Sequence, residues 1–134
     1  MIGLIIVTHG GVSHELKKAV SMIVGEVPNC RTLSLNPGDS TEKLREMIYR
    51  DAAELDEGEG VLIMTDLMGG TPANLSLTAS AGRNIRVLTG VNLPMVIQFV
   101  DDRNSKDLDE LAAVCEDTGA KGIINISELL LRRA

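Results

Sequence analysis

The stretch VLIMTDLMGGTPAN, residues 61–74, joins a strand to a helix through a short turn. Its first four residues are aliphatic without interruption, as in a parallel strand that is buried on both faces. Asp66 follows, and GGTP at 69–72 ends the turn. We interpret Thr71 as the N-cap of a helix and Pro72 as its first residue. The stretch predicts a carboxylate at the tip of a buried strand, beside a turn that can hold an anion.

The rest of the chain repeats this alternation of strand and helix. Apolar segments at 4–7, 31–35, 61–64 and 85–88 are separated by stretches in which apolar residues recur every three or four positions. Such alternation is typical of parallel strands joined by crossover helices. The first of these helical stripes contains Leu16, Ala19, Val20, Ile23 and Val24.

Helix starts and the C-terminal elements are predicted from local signals. Asp39 with Glu42 indicates the start of the second helix, and Ser105 indicates that of the fifth. Near the end of the chain, GIINI at 122–126 predicts a short fifth strand. The segment SELLLRR that follows predicts a terminal helix.

The polarity of the four strands predicts their order. Segments 4–7 and 61–64 are uninterrupted apolar runs, whereas 31–35 and 85–88 contain polar residues, which favours the sheet edges for the second pair. The first and third strands are then central neighbours in the order 2-1-3-4. We therefore predict one α/β domain over residues 1–134, a three-layer sandwich whose parallel sheet opens a crevice at the carboxyl ends of strands 1 and 3.

Two motifs meet at this crevice. His9 lies two residues past the first apolar run and Asp66 lies two past the third, so neighbouring strands place them side by side. Each is followed by glycines and a helix start, and glycine lets main-chain N–H groups approach an anion near the positive end of a helix. The predicted phosphate-binding residues are Gly10, Gly11, Gly69, Gly70 and Thr71.

The same pair predicts nucleophilic chemistry. A carboxylate that accepts the Nδ1–H of His9 leaves the Nε2 lone pair facing outward, much as a triad aspartate fixes a histidine tautomer. Phosphoryl transfer to such a nitrogen needs positioning and charge stabilisation rather than further covalent chemistry. His9 and Asp66 are therefore the predicted catalytic residues of a phosphohistidine carrier. His14 fits no metal-binding spacing and is predicted to lie on the surface.

Composition narrows the classes of function. A net charge of −6 and an aromatic content of 1% disfavour nucleic acid binding and the stacking of bases or flavins. Cys30 and Cys115 form no metal-ligand spacing, which indicates two reduced thiols, and neither a metal nor a cofactor is predicted. The sequence shows no basic leader and no apolar run of membrane-spanning length, so we predict a cytoplasmic protein.

The motifs VTHGG (7–11), TDLMGGTPAN and TGVNLPM (89–95) resemble those of the IIA component of the mannose-type phosphoenolpyruvate-dependent sugar phosphotransferase system, and the similarity extends over nearly the whole chain. The resemblance implies that His9, hydrogen-bonded to Asp66, accepts a phosphoryl group from the histidine phosphocarrier protein HPr and passes it to a IIB component. It also implies a homodimer that exchanges a C-terminal strand, here 122–126. Association with the membrane sugar permease would be peripheral and only through these partners.

Alternatives stay open at this point. The family resemblance extends to the phosphotransfer subunit of a dihydroxyacetone kinase, although the GGTPAN loop favours the sugar system. Many members are fused to IIB, and no such extension follows Ala134, which leaves open a regulatory module that binds partners according to its phosphorylation. ATP-dependent kinases and serine hydrolases are disfavoured because GxxxxGK[ST], GxGxxG and GxSxG are absent. Histidine phosphatases are disfavoured because no arginine lies near either motif.

Overall fold

The structure is a computed structural model that describes residues 1–133, so Ala134, the last residue of the predicted domain, lies outside it. The strands of the described chain are β1 (Gly3–His9), β2 (Cys30–Leu35), β3 (Val61–Thr65) and β4 (Ile85–Leu88). Its helices are α1 (Val12–Val24), α2 (Thr41–Leu55), α3 (Thr71–Ser80), α4 (Leu93–Asp102), α5 (Leu108–Lys121) and α6 (Ile126–Arg133). Among these helices, none combines the length and the apolar character that a membrane crossing requires.

The strands form one parallel sheet in the order β2-β1-β3-β4, which confirms the predicted order. The last pair between β1 and β3 joins Val7 to Thr65. On its other side β1 pairs with β2 as far as His9 opposite Leu35. β1 continues past this pair and ends at His9. The end of β1 therefore lies beside Asp66, which follows Thr65.

Side chains of the central strand alternate between two hydrophobic cores, one on each face of the sheet. Leu4 and Ile6 belong to the core beneath α1, α4 and α5, whereas Ile5 and Val7 belong to the core beneath α2 and α3. All four are fully buried, which explains the uninterrupted apolar run. The predicted three-layer arrangement is confirmed. Within residues 1–133, Phe99 is the only aromatic residue in either core.

The start of α2 differs from the prediction. Ser40 is the N-cap, and its side chain accepts the Lys43 N–H, in place of the predicted pair Asp39 and Glu42. The carboxylate of Asp39 instead accepts the Asn36 N–H in the preceding turn, at 2.8 Å. Asp39 closes the preceding turn, and the serine that follows it caps the helix.

The start of α5 also differs. Asp107 is the N-cap and forms a capping box with Glu110, whereas Ser105 was predicted to cap this helix. The Ser105 hydroxyl donates to the Asp102 carbonyl at the end of α4. The capping box satisfies two main-chain N–H groups with two side chains, which gives it the advantage over a lone serine.

The segment after α5 does not form the predicted fifth strand. The Gly122 N–H donates to the Thr118 carbonyl at 3.0 Å, which continues the helical pattern past Lys121. The next helix, α6, begins at Ile126. A strand needs a neighbouring strand to pair its main-chain groups, and residues 122–126 have none within the described chain. The predicted strand is therefore wrong for the single chain, while its exchange between two chains stays a prediction.

The helix α1 exposes more apolar surface than its sequence pattern indicates. Ser13 and Val20 are its buried residues, and Leu16 only packs at the margin of the core. Ile23, which belongs to the predicted stripe, is 60% exposed, and Met22 is 87% exposed. The helix therefore offers aliphatic side chains to the outside of the domain.

Candidate active site

His9 and Asp66 meet at the carboxyl edge of the sheet. His9 is the last residue of β1, and Asp66 directly follows β3, the neighbouring parallel strand. Asp66 Oδ2 lies 2.9 Å from His9 Nδ1 and also 2.9 Å from the main-chain nitrogen of His9. The structure thus places the two predicted catalytic side chains in direct contact. One carboxylate oxygen holds both the ring and the backbone of the histidine.

The ionisation of Asp66 decides which ring nitrogen of His9 is free. Burial raises the pKa of Asp66, but hydrogen bonds from the main chain and ring of His9 outweigh it and bring that pKa below its usual 3.8. A carboxylate that is charged near neutral pH can only accept, so Nδ1 of a neutral His9 ring carries the proton. The Nε2 lone pair is then free, on a side chain that is 49% exposed.

The turn that follows β4 holds the main chain around Asp66. Gly90 donates its N–H to the Asp66 carbonyl at 3.2 Å, and Val91 donates to the Thr65 carbonyl at 3.0 Å. The main chain that carries the Asp66 carboxylate is therefore held by a third turn of the chain. The sequence predicted no role at the site for Gly90 or Val91. A main-chain hydrogen bond between distant turns does not depend on the side chains, so a pattern of side chains does not predict it.

The glycines of the two turns next to His9 serve different purposes. Gly10, with φ +55°, and Gly69, with φ +80°, have left-handed backbone conformations, which glycine adopts at little cost. Gly10 donates its N–H to the Leu35 carbonyl at 2.9 Å, and Gly70 donates to the Leu67 carbonyl at 3.1 Å. An incoming phosphate would therefore find the N–H groups of Gly10 and Gly70 already engaged.

The remaining predicted phosphate-binding residues keep free donors. The N–H groups of Gly11, Gly69 and Thr71 donate to no acceptor within residues 1–133. Gly11 is the N-cap of α1, and Gly70 is the N-cap of α3, so Thr71 is the first helical residue rather than the predicted N-cap. The positive ends of both helices therefore adjoin His9, where they favour an anion.

The other candidate residues lie away from the histidine and aspartate pair. His14 is exposed on α1. Cys30 and Cys115 are buried as free thiols, and burial raises the pKa of both. Within residues 1–133, no group of three or more His, Cys, Asp and Glu side chains is placed to hold a metal ion. The candidate site therefore consists of the exposed His9 side chain and the Asp66 carboxylate that contacts it.

Comparisons with known proteins identify the family of the chain. Residues 3–116 match the model of the family EIIA-man, which is described as the PTS system fructose IIA component. This match confirms the resemblance that the motifs carry.

Individual relatives point to the same family. The chain is 33% identical over 124 residues to the mannose-specific EIIAB component of the PTS system of Escherichia coli K12, a match that covers 91% of this chain and 38% of that protein. It is 32% identical over 111 residues to the sorbose-specific EIIA component of Lacticaseibacillus casei, with 82% and 80% covered. The crystal structure of the EIIA component from Streptococcus agalactiae aligns with a TM-score of 0.88 at 29% identity, covering 96% of this chain and 99% of that one.

The strand order, the motifs at both turns and these relatives lead to one conclusion. The chain belongs to the family of mannose-type IIA components of the sugar phosphotransferase system.

Proposed function

We propose that the chain carries a phosphoryl group on His9 Nε2, which it accepts from phospho-HPr and passes to a IIB component. Its family consists of phosphotransferase components of sugar uptake. The observation that carries the proposal is the contact between Asp66 Oδ2 and His9 Nδ1 at 2.9 Å, since it leaves Nε2 as the free nucleophile.

The proposed transfer uses groups that adjoin His9. Nε2 attacks the phosphorus atom, a P–N bond to His9 forms, and the P–N bond to the HPr histidine breaks as its electron pair returns to that ring. The ring of His9 becomes positive, and the Asp66 carboxylate stabilises it. The N–H groups of Gly11, Gly69 and Thr71 and the positive ends of two helices stabilise the phosphoryl oxygens. Transfer to IIB then repeats the exchange with His9 as the leaving group.

The exposure of the site favours a donor that is carried on another protein. The side chain of His9 is 49% exposed, and it lies at the surface rather than in an enclosed cavity. Val12, at the start of α1, and Leu67 and Met68, in the turn after β3, are also exposed. These apolar side chains offer contact area to a protein partner, whereas a small sugar would lack the walls that usually hold a ligand.

The relatives favour sugar uptake over the two alternatives. The relatives from Escherichia coli and Lacticaseibacillus casei are named for mannose and for sorbose. Neither name refers to a dihydroxyacetone kinase or to a regulator. On this proposal the protein associates with a membrane sugar permease only through its partners. Reading frames for IIB and permease components next to its gene would support transport, and their absence would favour the regulatory module.

Reconstitution of the relay tests the proposed function. We expect that phosphoenolpyruvate, enzyme I and HPr together add the mass of one phosphoryl group to the chain, as measured by intact mass spectrometry. Acid should remove this group, and a IIB component should accept it. Omission of HPr should prevent the mass increase. An unchanged mass with all components present would contradict the proposal.

Substitution of Gly70 provides a second prediction. A Cβ at Gly70 would lie 3.0 Å from His9 Cε1 and 3.3 Å from the Leu67 carbonyl oxygen, so the ring must give by a few tenths of an ångström. We expect Gly70→Ala to slow the phosphorylation of His9 by about tenfold, because transfer depends on the alignment of the attacking nitrogen. Quenched-flow rates with phospho-HPr measure the effect, and a wild-type rate would show that the contact is unimportant.

We further propose that the chain forms a homodimer through residues 122–133, its C-terminal segment. Ile123, Ile124 and Ile126 are exposed in this segment, and β4 is an edge strand. A second copy can cover both, because strand edges and clustered apolar side chains favour association. We expect the full-length protein to scatter light as a dimer at micromolar concentration. A chain truncated before Gly122 should dissociate or aggregate, and a monomeric full-length protein would refute the dimer.

A further inference from the structure

The hydroxyl of Thr8 closes the turn that carries His9. Thr8 is fully buried, and its Oγ1 accepts the N–H of Ser13 at 2.8 Å. The four residues between them are His9, two glycines and Val12, the first residue of α1. The bond therefore joins the strand just before the histidine to the helix just after it.

The helix needs this bond because its own N-cap has no side chain. Gly11 is the N-cap of α1, and no side chain of that residue can accept a helical N–H. An N-cap side chain usually accepts from the second or third helical residue, and Ser13 is the second. Thr8 supplies the missing acceptor from inside the fold. Gly11 itself is exposed, and its N–H donates to no acceptor within residues 1–133.

Two further bonds reach β2, one from the start of α1 and one from the turn. The Ser13 hydroxyl donates to the Leu33 carbonyl at 2.9 Å, and the Gly10 N–H donates to the Leu35 carbonyl at 2.9 Å. The Gly10 bond holds the turn at the histidine itself, whereas the Ser13 hydroxyl bond anchors the first turn of α1.

The position of the main chain at His9 decides where its ring points. Asp66 Oδ2 accepts both the main-chain N–H and the Nδ1–H of His9, each at 2.9 Å. A shift of the backbone would lengthen the first bond and draw the carboxylate away from the second. The tautomer of the ring therefore depends on how firmly the turn is held.

We propose that Thr8 is a positioning residue for His9. By accepting the Ser13 N–H, its hydroxyl keeps the turn in the conformation in which Asp66 holds Nδ1–H and Nε2 faces outward. The consequence for phosphoryl transfer rests on the proposed function, whereas the consequence for the ring tautomer does not.

Three variants separate positioning from stability. Thr8→Val keeps the shape of the side chain and removes the acceptor, and Thr8→Ser restores a hydroxyl. Ser13→Ala is the matched control, because it removes a buried hydrogen bond to Leu33 but keeps the N–H that Thr8 accepts. Nitrogen-15 NMR of the labelled histidines reports the tautomer of His9, quenched flow reports its phosphorylation by phospho-HPr, and urea unfolding reports stability.

We expect Thr8→Val to shift both ring nitrogens of His9 toward a mixture of tautomers and to slow phosphorylation by about tenfold. Thr8→Ser and Ser13→Ala should keep the wild-type His9 spectrum and a rate within about twofold, even though Ser13→Ala is destabilised. If Thr8→Val does not fold, Thr8→Cys takes its place, because a thiol is a weak acceptor of similar size.

Two results would overturn the proposal. One is a folded Thr8 variant without the hydroxyl that keeps the wild-type His9 spectrum. The other is a Ser13→Ala protein that is as impaired as Thr8→Val, since the effect would then follow stability alone. If wild-type protein were never phosphorylated, the proposed function would fail, and the NMR comparison would still decide the role of Thr8.

Discussion

His9→Ala is expected to reduce phosphorylation of the protein by phospho-HPr to the background level. Alanine has no nitrogen to attack phosphorus, and no other side chain in contact with Asp66 replaces the ring in the described chain. His14→Ala is the matched control, because it removes the other histidine of the chain, which is exposed on α1 and forms no hydrogen bond with Asp66 within residues 1–133. The control should gain one phosphoryl group at the wild-type rate.

Intact mass spectrometry after incubation with phosphoenolpyruvate, enzyme I and HPr measures both variants. The phosphoryl group on wild type should be lost in acid and survive in base, as expected for a phosphohistidine. A labelled His9→Ala protein, or a label that survives acid, would show that the phosphoryl group is carried by another residue. Circular dichroism of each variant establishes that the fold is intact.

Asp66→Asn is expected to slow the phosphorylation of His9 by about 100-fold or more. A carboxylate beside an incoming dianion is by itself unfavourable, since like charges a few ångströms apart repel by about 1 kcal/mol even in water. Its presence implies a compensating role, and the 2.9 Å contact with Nδ1 supplies one. Asparagine keeps the size but can present an N–H where an acceptor is needed, which favours the wrong tautomer.

The lowered pKa of Asp66 supports the same expectation, because a charged carboxylate stabilises the positive ring of phosphohistidine better than a neutral amide does. Quenched-flow transfer rates measure the change. Asp101→Asn, at an exposed position on α4, is the control for a simple change of net charge. A folded Asp66→Asn protein that is phosphorylated at the wild-type rate would remove Asp66 from the mechanism.

The fold and the central pair of the site could be predicted from the sequence because both depend on local patterns. A strand that is buried on both faces contains a continuous apolar run, and residues 4–7 and 61–64 form such runs. Their neighbouring places in the sheet follow, and with them the side-by-side positions of His9 and Asp66, since adjacent parallel strands end at the same edge. The turn glycines are likewise local requirements of backbone conformation.

Beyond the contact of His9 with Asp66, the tertiary structure alone decided which distant residues share hydrogen bonds. Buried Arg103 donates to the Ile2 carbonyl 101 residues away, and no local pattern predicts such a partner. Residues 122–126 have the composition of a strand, yet a strand also requires a neighbour to pair with. The bond from Ser13 to Thr8 has the same origin, because it forms only when the helix folds back over the end of β1. The sequence alone therefore determined where the histidine lies, and packing between distant segments decided how it is held.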